Sequence, residues 1–111
     1  MKPAIRALAL TLTLVPCAAY AQQLGNVRAG LDYARAHCAE CHGVETTPRD
    51  FSPNASSPDF SVIANTPGMT ERALAVWLQT SHPTMPDFII PPQDRDNVIA
   101  YIMSLKELAP Q

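Results

Sequence analysis

In the stretch AHCAECHGVE, Cys38 and Cys41 stand three residues apart, and His42 follows the second thiol directly. Thiols at this spacing serve three chemistries: a zinc corner, a redox dithiol, or the anchor of a larger group. A structural zinc site takes four donors, normally with a second Cys or His pair at matching spacing. The only other histidines are His37 and His82, and the one further cysteine, Cys17, lies in a segment expected to be removed. A thioredoxin-like dithiol sits beside a βαβ pattern, and no stretch of this sequence reads as a strand. Zinc and dithiol chemistry both therefore lack supporting residues elsewhere in the chain.

Cys-x-x-Cys-His is the pattern for covalent attachment of haem. On a helical turn, positions i, i+3 and i+4 share one face. Both sulfurs can then form thioethers along one porphyrin edge, and His42 can place its imidazole under the iron as proximal ligand. A second protein ligand would close the other side of the iron and make an electron carrier, whereas an open side would bind small molecules.

Three methionines follow the motif. Met103 falls in a helical pattern, where packing explains it. Met69 directly precedes Thr70, a candidate N-cap, where an apolar residue staples against the fourth helical position, here Leu74. Met85 has no such duty and sits in SHPTMPDF between Pro83 and Pro86. A proline-stiffened loop can hold a thioether against iron with little ordering cost, so Met85 is the candidate distal ligand. His82 is the rival, with a plain loop histidine or a contact near the haem edge as its simpler role. Trp77 is a candidate for contact with the haem, since a buried indole N–H usually finds a polar partner. A core aromatic on a helix face is the plain alternative.

The elements that must position these residues are helical. Val27, Gly30, Leu31, Ala34 and Cys38 recur at helical spacing from Asn26 to Cys38. Residues 43–70 are rich in Pro, Ser, Asn and Thr and read as an irregular segment, with DFSVIA able to form a short turn of helix. A further helix starts at Thr70 with Glu71 in its first turn and an apolar face of Ala73, Leu74, Trp77 and Leu78, and Pro83 is expected to stop it. The last spans about Gln93 to Glu107, with Val98, Tyr101, Ile102 and Leu105 at i, i+3, i+4 and i+7. So long an irregular segment is unusual in a compact domain, unless a bound group supplies the surface it packs on. The fold class is all-α, with three to four short helices.

At the N-terminus, Lys2 and Arg6 precede an apolar run from Ala7 to Val15, and Ala19-Tyr20-Ala21 supplies the small residues of a cleavage site. This is the layout of a secretory signal over residues 1–21, leaving one domain over residues 22–111 and a periplasmic location. Leu14-Val15-Pro16-Cys17 loosely resembles a lipoprotein acylation site, but Pro16 fits it poorly, and Cys17 is expected to leave with the signal. Losing Lys2 and Arg6 takes the formal charge from −2 to −4. An acidic chain argues against nucleic acid and anionic membrane surfaces as partners, and no later segment is apolar enough to cross a membrane.

The order of signal, helix with Gly30, CAECH, proline-rich loop, SHPTMP and a final helix reading DNVIAYIMSL resembles the class I monohaem cytochromes c. It is similar in particular to the short bacterial periplasmic members, over essentially all of the mature chain. The resemblance implies a small fold wrapped around one covalently attached haem c, with one-electron transfer as the activity and no bond chemistry of its own. It implies close crossing of the first and last helices, with Gly30 and Tyr101 at the matching positions. Ala34 stands where many relatives carry an aromatic. It also implies a proline carbonyl accepting the second N–H of His42; Pro53 is the leading candidate and Pro58 stands close behind. Expected partners are redox proteins, a dehydrogenase, an oxidase or another cytochrome, presenting a basic docking surface. The role is that of a diffusible shuttle or a small cytochrome subunit. The alternative is a haem protein that binds or processes a small ligand after Met85 leaves the iron.

Overall fold

The computed structural model describes residues 1, 25–47 and 50–107. The expected signal over residues 1–21, its cleavage site and Cys17 lie outside the described residues. Four helices follow in order: α1 (Val27–His37), α2 (Phe60–Ala64), α3 (Glu71–Trp77) and α4 (Pro92–Ser104). Among the described residues no strand forms, so the all-α expectation holds.

Asn26 caps α1 by accepting the Ala29 N–H on its side chain at 2.9 Å. Arg28, Asp32 and Arg35 make an exposed ion-pair ladder on the outer face, while Gly30 and Ala34 are buried on the inner one. The small stripe lets α1 lie directly on α4. A Cβ on Gly30 would collide with the Asn97 carbonyl and the Tyr101 side chain, and one on Gly25 would collide with the Asp96 carbonyl. Asn97, itself buried, accepts the Asn26 N–H at 2.8 Å and so docks the start of α1 onto α4.

α4 opens with Pro92 in its first turn and Asp94 facing the helix dipole. The periodicity of its sequence predicts a single apolar face, yet Asn97 through Ile102 are all buried. The cause is position: α4 packs against α1, α2 and α3, so partners cover it on several sides. The core gathers Ala34, Val44, Phe60, Ala64, Leu74, Val98, Ile99, Tyr101 and Ile102 around this helix.

α3 forms on its expected cap, with Thr70 Oγ1 accepting the Ala73 N–H at 3.1 Å. Met69 and Leu74 join the same apolar cluster, as a staple requires. The apolar face differs from the one the sequence suggests. Leu74 is buried and Leu78 half-buried, but Ala73 is exposed and Trp77 is 57% exposed. α3 has only seven residues and ends at Trp77, well before Pro83, so its last residue stands clear of the core. α2 is the short helix expected within DFSVIA. No described helix is long and apolar enough to cross a membrane.

Candidate functional site

Cys38 is the C-cap of α1, and its own N–H bonds the Ala34 carbonyl. The Cys38 carbonyl then accepts from Cys41 at 3.1 Å and from His42 at 2.9 Å. One more hydrogen-bonded turn thus follows the helix and carries both thiols and the imidazole. The helix stops before the motif, but the turn keeps the i, i+3, i+4 relation. Both cysteines are free thiols and half-buried. Burial pushes the Cys38 thiol up to about 11. The burial favours the neutral S–H over the thiolate, the opposite of what activates a redox nucleophile. Among the described residues no three His, Cys, Asp or Glu side chains converge as a metal cluster.

His42 Nδ1 lies 2.7 Å from the Pro58 carbonyl oxygen. A carbonyl only accepts, so Nδ1 carries the proton and Nε2 keeps its lone pair for a ligand. Of the two candidate prolines, it is the carbonyl of Pro58 and not that of Pro53 that meets His42. Spacing from His42 could not separate the two prolines because the loop between them folds back. Asn54 N–H reaches the Cys41 carbonyl at 3.4 Å, and a turn closes from Ser57 N–H to the Asn54 carbonyl at 2.9 Å. Pro53 itself is exposed. The His42 ring also packs on Phe60, with centroids 5.5 Å apart.

What fixes this loop carries no spacing signal in the sequence. Ser52 Oγ accepts the Gly43 N–H at 3.0 Å. Asp59 Oδ1 accepts the Ser52 N–H at 2.8 Å and also the Ser52 hydroxyl. The Phe60 N–H donates to the Gly43 carbonyl at 2.8 Å. Asp59 stands at the N-cap of α2, yet its side chain does not cap that helix. On the other side of the motif, Arg35 Nε bonds Glu45 at 2.6 Å, and the Tyr101 hydroxyl donates to the Val44 carbonyl. The start of the segment after His42 is thereby tied to α1 and α4.

Met85 lies in the irregular stretch between α3 and α4. It lines an open hollow with Trp77, Leu78, His82, Pro86, Phe88, Ile89 and Ile90 among the wall residues. Cys38, Cys41 and His42 are not part of that wall. Ser81 Oγ donates to Asp87 at 2.9 Å and so closes the base of the Met85 loop. Trp77 meets the His82 ring edge-on, centroids 3.7 Å apart. Met69 and Met103, in contrast, pack against the core.

Haem fits these residues on two counts. His42 presents a lone pair on a fixed ring beside two reduced thiols. Trp77, Phe88 and Ile89, the last 98% exposed, leave apolar surface open beside Met85, of the kind a flat apolar group would cover.

A protein-family model described as cytochrome c matches residues 27–106. The chain is similar to cytochrome c-552 of Bradyrhizobium diazoefficiens, 35% identical over 77 residues, which covers 69% of this chain and 72% of that protein. No solved structure matches it.

Proposed function

The chain belongs to the cytochrome c family, and from that premise we propose that it is a one-electron carrier holding one haem c. In this reading Cys38 and Cys41 would bind the haem through two thioethers, and His42 and Met85 would hold its iron. The observation that carries it is the His42–Pro58 hydrogen bond of 2.7 Å, which leaves Nε2 as a donor directly after two free thiols.

Bound haem supplies an iron that takes up and gives back one electron. The chain's residues do the rest. The Pro58 carbonyl fixes the imidazole ring and raises its donor strength. Pro83 and Pro86 stiffen the Met85 loop, and the Ser81–Asp87 bond ties its ends. A thioether ligand and apolar surroundings favour the reduced state. Trp77, Phe88 and Ile89, exposed in the chain alone, would lie against the bound haem and shed water there.

Processing after residue 21 and work in the periplasm complete the proposal. The acidic balance of the chain favours a basic docking surface on the redox partner, with affinity falling as salt rises. This suits a shuttle or a small subunit of a redox enzyme. The rival reading is a haem protein that binds a small ligand once Met85 leaves; the exposed residues flanking Met85 favour it. Carbon monoxide separates the two. A carrier, reduced, does not bind it because Met85 stays on the iron, whereas ready binding supports the rival.

A further inference from the structure

We propose that Ser52 and Asp59 are positioning residues for the proximal ligand, acting through the Pro58 carbonyl on His42; this rests on the reading of His42 as an iron ligand. The argument is a closed ring of contacts. His42 Nδ1 donates to Pro58 at 2.7 Å. The Pro58 carbonyl belongs to the peptide unit shared with Asp59, so whatever holds Asp59 aims that oxygen. Asp59 is held by its side chain, which takes both the N–H and the hydroxyl of Ser52. Ser52 Oγ in turn takes the Gly43 N–H at 3.0 Å, and the Phe60 N–H takes the Gly43 carbonyl at 2.8 Å. Both backbone groups of Gly43, the residue after His42, are thereby committed to the strand of chain that orients His42. The ligand and its orienting carbonyl move as one piece.

Two details set this apart from ordinary loop packing. An Asp at a helix N-cap normally spends its carboxylate on the helix's own N–H groups, but this one spends it on Ser52 and leaves α2 uncapped. Gly43 is also required by the ring, because a Cβ there would collide with the Asp59 carboxylate. A carboxylate accepting two bonds makes a stiffer tie than neutral partners would. The stiffness matters because the Nδ1 hydrogen bond sets how strongly the imidazole donates to a metal.

The test uses haem-loaded protein. In the reduced protein, NMR follows exchange of the His42 Nδ1 proton, and the reduction potential is measured alongside. Ser52→Ala and Asp59→Ala are expected to speed that exchange about tenfold, the scale of one lost hydrogen bond. Both should move the redox equilibrium toward the reduced form, because a weaker donor stabilises the oxidised iron less. Ser52→Thr keeps the hydroxyl and should keep both readouts at the parent value. Asn65→Ala removes bonds to Ser61 and Leu105 on another part of the surface. It should cost stability without moving either readout. If Asp59→Ala does not mature, Ser52→Ala alone carries the test. Parent-like exchange and potential in Ser52→Ala, with only a lower melting temperature, would overturn the proposal. A parent protein whose spectrum lacks histidine-ligated haem overturns the functional reading itself, and this is seen before any variant is compared.

Discussion

Tyr101 links the last helix to the segment that follows His42. Its hydroxyl donates to the buried Val44 carbonyl, and burial, then the Glu45 charge, pushes its phenol above the usual value. The neutral phenol is thus favoured in the folded chain. As pH rises past 10, the ordinary value for a tyrosine, the unfolded chain loses this proton first. Stability should therefore fall with pH from there up through the folded pKa. Tyr101→Phe is expected to cost about 1–3 kcal/mol at neutral pH by leaving the carbonyl without a donor, and to blunt the alkaline loss. Chemical unfolding of the haem-loaded protein across that range checks both. At this scale the sequence was legible where a residue type has one use. The Cys38, Cys41 and His42 spacing needs no fold to be read. Pro58 was not separable from Pro53, because the choice depends on how the Asn54–Ser57 turn folds back. Ser52 and Asp59 were silent for a like reason: a serine and an aspartate in a polar loop carry no spacing signal.

The crossing of α1 and α4 holds the motif in place. Gly30 meets the Asn97 backbone carbonyl, an atom that cannot swing aside. Gly30→Ala is therefore expected to push the helices apart and destabilise the haem-loaded protein by about 1–3 kcal/mol, the range for overpacking a tight contact. Its better helix propensity would recover under about 1 kcal/mol of that. Thermal unfolding checks the net loss, with Ala29→Gly as a control for propensity alone. The helices themselves were legible from periodicity and, for α3, from the Thr70 cap. The Asn26 cap of α1 and Pro92 at the head of α4 emerged only in the structure, where α4 ends at Ser104, short of the expected Glu107. What periodicity could not convey is that α4 is enclosed on several sides, because that depends on where α1, α2 and α3 return in space. Nor could it show that α3 ends at Trp77, leaving that ring against His82 and not in the core.

At the scale of the molecule, the long segment between His42 and α3 carries little core of its own beyond Val44, Phe60 and Ala64. Exposed Phe51, Val62, Trp77, Phe88 and Ile89 add apolar surface that water meets directly. So small a domain is marginal on its own core. A haem-free Cys38→Ala/Cys41→Ala chain is expected to be largely unfolded; native-like helical circular dichroism from it would contradict that. The most direct measurement for the account as a whole is the far-red absorption of the oxidised, haem-loaded protein beside its Met85→Ala variant. His42–Met85 ligation predicts a sulfur-to-iron charge-transfer band in the parent that disappears in the variant. A parent without the band, or a variant that keeps it, would contradict the account.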